Sequence, residues 1–188
     1  PLWVVEKLHA AGALVMNMVG HPKHAAKALA LGVDIICAQG TEAGGHTGEI
    51  STLVLVPQVI DMCAGKALVV AAGVIFDGRG IAACLALGES GVWVGTAFLA
   101  TPEANVEDVY KQRLLEADSS QTIRSEIYTG RPARSIQTPY NLAWAKREVE
   151  MRELLNKGVI PQIHDAKQLR KEGKARPMSE QLRKERSA

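Results

Sequence analysis

The 188-residue sequence holds no run of the roughly 18–20 apolar residues that a membrane-spanning helix needs. No signal or transit segment is visible at its start. It has only three cysteines: Cys37, Cys63 and Cys84. An odd number, none closely paired and each in an apolar stretch, excludes a disulfide framework and a zinc site. They read as small buried residues of a protein in a reducing compartment, so the expected location is the cytoplasm. No His-x-His, His-Glu-x-x-His or paired-acid spacing points to a metal. No serine sits in a nucleophile elbow. No GxGxxG joins a strand to a helix, and Asp77-Gly78-Arg79-Gly80 is not that pattern, which excludes a dinucleotide-binding fingerprint. The chain opens Pro1-Leu2-Trp3 without an initiator Met, so the expectation is a piece of a longer polypeptide.

What is present is an ordinary globular composition: 47% hydrophobic, 22% charged, 17 Gly and 8 Pro. The length suggests one domain. The net charge of +2 hides an asymmetry. Residues 166–188 carry eight Lys/Arg against three Asp/Glu, while residues 1–165 carry 14 against 17. A basic stretch can meet nucleic acid or anionic lipid. This one also holds acids, Gly173 and Pro177 and few apolar residues, so it reads as a flexible solvated tail with no nucleic-acid or membrane partner.

Ahead of the tail, apolar runs alternate with helical patterns. Residues 13–19 read as a strand, and Pro22 opens an Ala-rich helix that Gly32 ends. Residues 33–38 are the next strand, followed by a Gly-rich loop over 39–51. Thr52 caps a helix from Leu53 to about Ala64. Residues 67–71 are a third strand, Asp77 caps the helix 80–87, and residues 91–94 are a fourth strand. Beyond about Pro102 the strand pattern stops; residues 105–117 and 140–156 read as helices.

The strands are apolar throughout, the mark of a parallel sheet covered on both faces, with helices making right-handed crossovers. An open doubly wound sheet and part of a (β/α)8 barrel both fit. Glycine placement favours the barrel. Gly73 and Gly95-Thr96 follow the third and fourth strands, and a barrel binds phosphate in the loops after its last two strands. A complete barrel usually needs about 250 residues, so the reading is its C-terminal half, about four β/α units. Residues 1–140 would form the partial barrel, 141–165 a helical segment and 166–188 the tail. Such a half leaves two sheet edges and one side of its core open, and is expected to aggregate or to hold a cofactor weakly by itself.

Backbone N–H groups at glycine turns before helices make anion cradles, and Thr96 adds a hydroxyl. The stretch Gln39-Gly40-Thr41-Glu42-Ala43-Gly44-Gly45-His46-Thr47-Gly48 lies at the carboxyl end of a strand, where barrel enzymes keep their chemistry. Small neighbours leave the His46 imidazole uncovered, and an imidazole takes or gives a proton near neutral pH. Gln39 can donate to a carbonyl or ring nitrogen. Glu42 reads as solvated, His24 as exposed, and Trp93 as core packing. His21, at a strand end before Pro22, is a weaker candidate to face a site.

These residues resemble the nitronate monooxygenase family, formerly called 2-nitropropane dioxygenases, from about residue 13 to about 140. The resemblance lies in residues 32–48 with their Ala-Gly-Gly-His-x-Gly run, in residues 52–59, in Ala71-Ala72-Gly73, in Asp77-Gly78-Arg79-Gly80, in residues 95–99, and in Thr129-Gly130-Arg131-Pro132-Ala133-Arg134. It implies an FMN-dependent (β/α)8 barrel oxidising alkyl nitronates with O2. In that likeness His46 is the base that removes the acidic proton beside the nitro group. Gln39, Gly44 and Gly45 lie along the flavin, Gly73 and Val74 at the first phosphate turn, and Trp93, Val94, Gly95 and Thr96 at the second. The family usually has Gly-Gly where Gly73-Val74 stands, which strains Val74 by ~1–3 kcal/mol if its φ must be positive. A Gln is common where Trp93 stands. The same scaffold also serves NAD(P)H-dependent enoyl-acyl-carrier-protein reduction and NADH:quinone reduction, and a truncated, inactive product is a further alternative.

Overall fold

The computed structural model describes residues 1–171, so 17 positions of the expected tail, residues 172–188, lie outside the described residues. The chain forms two compact units. The first is Pro1–Thr122 with Arg134–Ile136; the second is Ile123–Ala133 with the chain from Gln137 onward.

The first unit begins with α1 (Leu2–Ala10), which no sequence signal announced. Then come β1 (Met16–Val19), α2 (Pro22–Ala30), β2 (Ile35–Gln39), a two-residue β3 (Gly45–His46), α3 (Thr52–Cys63), β4 (Leu68–Ala72), α4 (Gly78–Ala86) and β5 (Gly91–Trp93). A short α5 (Thr96–Leu99) and α6 (Asp108–Glu116) follow. Capping is local and chemical. The imidazole of His21 accepts from Lys23 N at 3.0 Å, so His21 starts α2. Asp77 accepts from Arg79 N at 3.0 Å and Gly80 N at 3.4 Å, as its position predicts.

Strands β1, β2, β4 and β5 make one parallel sheet in the order β1-β2-β4-β5. Period-2 alternation sorts its side chains between two faces. Val19, Ile36, Ala38, Val69 and Ala71 pack against Ala25, Ala28, Leu55, Val56, Val59 and Cys84 of the helices. The other face carries the rows Met16-Ile35-Leu68, Met18-Cys37-Val70-Gly91 and Gln39-Ala72-Trp93. Met16, Met18, Leu68 and Trp93 are exposed there. The expectation of cover on both faces is therefore corrected: among the described residues, the crossover helices bury one face. The continuous apolar run is the same whether one face is covered or two.

The absence of strands beyond Pro102 is also corrected. β6 (Thr122–Ser125) and β7 (Ala133–Ile136) form there, and β7 lies next to β3. The sequences Thr-Ile-Arg-Ser and Ala-Arg-Ser-Ile are too short and polar to show an apolar run. The expected helix 140–156 is two, α7 (Pro139–Ala145) and α8 (Glu148–Asn156), followed by α9 (Pro161–Lys171). The expected tail therefore begins inside α9. In the second unit Trp144 is buried, and Asp165 accepts from its indole N–H at 2.8 Å and from the Tyr140 hydroxyl at 3.0 Å. Burial and the Asp165 carboxylate push the Tyr140 phenol up to about 12.

All three cysteines are free and buried. Burial raises the Cys37 thiol to about 11, with the charge of Glu89 adding to it. Glu89, between α4 and β5, is 5% exposed, and neither carboxylate oxygen has a hydrogen-bond partner. Burial lifts its pKa from 4.5 to about 7. The folded state holds this proton more tightly than the unfolded chain, so stability falls as pH rises from 4.5 towards 7 and stays reduced above it. Glu89→Gln is expected to remove that decline and to stabilise the protein above neutrality by on the order of 2 kcal/mol. Urea unfolding at several pH values checks this; parallel curves for the two proteins contradict it.

Candidate functional site

A cavity of about 900 Å³ opens in the first unit where β2, β4 and β5 end. The last residues of those strands, Gln39, Ala72 and Trp93, share one row across the sheet and line it. The chain turning out of each strand lines it too: Gly44, then Gly73 and Val74, then Gly95 and Thr96. Seven of the ten candidate residues thus border one space. Gly45, His46 and Val94 do not line it. Val94 is partly buried against the core. His46 is exposed in β3, two residues beyond Gly44. Trp93 is 48% exposed, which corrects its reading as core packing: it stands on the sheet face that the crossover helices leave open.

The loop after β2 is held by a carboxylate. Glu42 Oε2 accepts from Thr52 N at 2.9 Å and from Thr52 Oγ1 at 2.8 Å. The first N–H groups of a helix lack partners within it, and Ser51, at the N-cap of α3, makes no side-chain cap bond. Glu42 fills that role from ten residues upstream. The expectation that Glu42 is solvated is corrected, as is the expectation that Thr52 caps α3. Thr52 is the first helical residue, 1% exposed, and its hydroxyl is a donor to Glu42.

Two glycines make room for that hydroxyl. A methyl at Gly40 would collide with the hydroxyl and backbone N of Thr52. A methyl at Gly73 would lie 2.7 Å from Thr52 Oγ1. Gly73 also has φ +127°, a region that favours glycine. Arg134, on β7, donates from Nε and Nη2 to the Thr41 carbonyl at 3.2 and 3.1 Å and from Nη1 to Thr122 Oγ1 at 3.0 Å.

The two turns can hold an anion. Ile75 N–H donates back to the Gly73 carbonyl, leaving Val74 at the tip of a tight turn. Val74 has no positive φ, so the side chain that replaces a second glycine brings no left-handed strain. At the other turn a methyl on Gly95 would meet nothing within 4 Å, and Thr96 Oγ1 lies 3.0 Å from where a Gly44 Cβ would sit. Of the remaining walls, Met18, Phe76, Leu114 and Leu115 are apolar, while Glu42, Ser119, Thr122 and Arg134 bring polar groups. Sequence reading did not single these out, nor Arg134 as a site residue. Arg134 meets Thr41 from 93 positions away, and only its place in a family-like stretch marked it.

Gly40→Ala is expected to destabilise the protein by about 1–3 kcal/mol through overpacking, and Gly95→Ala to stay within about 0.5 kcal/mol. Denaturant unfolding of the two variants checks this order; equal losses would contradict it.

The nitronate monooxygenase family model matches residues 1–174. A Mycobacterium tuberculosis protein with a provisional monooxygenase name, Rv1533, is 50% identical over 141 residues, covering 75% of this chain and 37% of its own. The (3aS,4S,5R,7aS)-5-hydroxy-7a-methyl-1-oxo-octahydro-1H-indene-4-carboxyl-CoA dehydrogenase of the same organism is 43% identical, over 72% of this chain and 38% of its own. Among solved structures, a nitroalkane oxidase from Streptomyces ansochromogenes is similar with a TM-score of 0.71 and 33% identity, over 93% of this chain and 52% of that one. The chain therefore spans less than half the length of these two curated relatives and about half of the solved one. On these grounds the chain, an α/β protein with a parallel sheet, belongs to the nitronate monooxygenase family.

Proposed function

We propose that the chain is the C-terminal half of an FMN-dependent (β/α)8 barrel that oxidises alkyl nitronates and their parent nitroalkanes with O2. The observation that carries this reading is the cavity in which the Gln39–Gly44 loop, the Gly73-Val74 turn and the Gly95-Thr96 turn converge at the carboxyl ends of three parallel strands. The residues suit the cofactor. A dianionic phosphate needs a close approach to backbone N–H groups without side-chain cover, and Gly73, Gly95 and the Thr96 hydroxyl meet that need. The Gln39 amide suits a ring nitrogen or carbonyl, Gly44 and Gly45 would allow a flat ring system to lie against backbone, and Trp93 would flank it.

FMN, when bound, supplies the electron acceptor and the centre that reacts with O2. The chain's own work is to bind, to exclude water and to move a proton. The apolar walls from Met18, Phe76 and Leu115 suit an alkyl substrate. His46 takes the proton from the carbon beside a neutral nitro group and holds it on its imidazole. A nitronate, already ionised, asks nothing of that base. The substrate is thus a small molecule with an acidified C–H, and O2 is the second reactant; no nicotinamide is needed.

A second reading is favoured by the likeness to a carboxyl-CoA dehydrogenase. There the acidified carbon would neighbour an acyl thioester, and the chemistry would approach the NAD(P)H-linked enoyl-thioester class.

Anaerobic mixing of the FMN-reconstituted chain with substrate separates the two. The flavin absorbance is expected to bleach with an alkyl nitronate alone and to return with O2. His46→Asn is expected to slow bleaching by a neutral nitroalkane by about 10²–10⁴-fold, and to leave bleaching by the pre-ionised nitronate within about tenfold of the wild type. Bleaching only with NAD(P)H, or equal losses on both substrates, would overturn the reading.

A further inference from the structure

We infer that Glu42 and Thr52 are positioning residues of this site. Their two hydrogen bonds clasp the Thr41–His46 segment to the start of α3, and so fix both the Gly73 turn and the histidine. For the histidine's part in the reaction, the inference rests on the reading proposed above; for the geometry, it rests on the fold alone.

The segment leaves β2 at Gln39 and must reach β3 at Gly45 without a helix to guide it. Gly40 N–H donates to the Ala72 carbonyl and Thr41 N–H to the Ile50 carbonyl, at 3.1 and 2.9 Å. Ala43 N–H turns back to the Gly40 carbonyl at 3.2 Å. The Glu42 carboxylate then takes both donors that Thr52 offers, one from the backbone and one from the side chain. Gly44 follows with Thr96 beside it, then Gly45 at φ +77°, then His46. The clasp is the last side-chain anchor on this path before the flexible Gly-Gly pair, and it stands only four residues from the imidazole.

Thr52 connects that path to the first phosphate turn. Its hydroxyl fills the slot that Gly40 and Gly73 leave open, while Ala43 N lies 3.7 Å from where a Gly73 Cβ would be. Displacement of the hydroxyl would therefore be felt at Gly73 and at Ala43 together. Charge supports the same role. Glu42 borders the cavity, where a carboxylate near an anion site is unfavourable unless its charge is engaged elsewhere. At the start of α3 it meets the positive end of a twelve-residue helix. It also occupies that helix start, so an incoming phosphate is directed to the Gly73 and Gly95 turns instead.

Three variants of the full chain test this: Thr52→Val, which keeps the shape and removes the hydroxyl; Thr52→Ser, which restores it; and Glu42→Gln, which removes the charge. In the cofactor-free protein, amide exchange over residues 41–46 is expected to quicken by about tenfold in Thr52→Val and Glu42→Gln, with β2 and β4 unchanged and Thr52→Ser like the wild type. In the FMN-reconstituted protein, Thr52→Val is expected to lower kcat for a neutral nitroalkane by about tenfold or more, with KM within about threefold, and Thr52→Ser to recover it. Unchanged exchange over 41–46 would overturn the inference. So would exchange rising equally through the sheet, or a serine that fails to rescue. If the wild type shows no turnover at FMN concentrations high enough to overcome the weak binding expected of half a barrel, the proposed function falls, and the exchange result still decides whether the clasp exists.

Discussion

One carboxylate accepting two hydrogen bonds from one threonine sets the geometry at the mouth of this cavity. A loop that leaves a strand, runs through four glycines within nine positions and returns to a helix has many conformations available to it. Glu42 removes most of them, because both of its donors belong to Thr52, the residue that begins α3. The steric demands of neighbouring positions follow from that pair. Gly40 is glycine because Thr52 is pressed against it, and Gly73 is glycine because of the same hydroxyl and its own positive φ. The turn that could cradle a phosphate is thus shaped from behind by a hydrogen bond that itself touches no phosphate.

The sheet supplies the platform on which this loop works. Its helix-covered face is a close-packed cluster of small and branched residues, with Ile36, Ala38 and Ala71 inaccessible to water. Its other face ends in the row Gln39-Ala72-Trp93, which becomes the cavity floor. Parallel strands in register bring three exit turns to one rim, and that is what lets residues as far apart as 39 and 96 share a space. Glu89 is the exception to this orderly division. It is a buried carboxyl near two thiols whose proton affinity its charge raises.

Local signals were legible in the sequence and distant ones were not. Asp77 announced its cap because its partners are two and three residues away. The four parallel strands were legible because β-branched and small apolar residues run together. Glu42 looked solvated because its partner lies ten residues on, beyond a stretch of glycines that hides any spacing rule. Arg134 was a member of a family-like stretch without a role, since its acceptor at Thr41 is set by the pairing of β3 with β7. The break between α7 and α8 falls at Lys146-Arg147, where neither Gly nor Pro marks it. Here the resemblance to a family and the physical reading complemented each other. The family pattern raised the question of Val74, and the backbone answered it: the positive φ of this turn falls on Gly73, which bears it without strain.

In the proposed function the Gly73 and Gly95 turns hold the phosphate of a flavin whose ring lies towards His46. A crystal structure of the chain soaked with FMN tests it most directly. The expected result is the phosphate within hydrogen-bond reach of backbone N–H groups at both turns and of the Thr96 hydroxyl, with the ring system on the Gly44–His46 side. A phosphate bound at the start of α3 or against α2, or a ring on the side of the sheet that the helices cover, would contradict it.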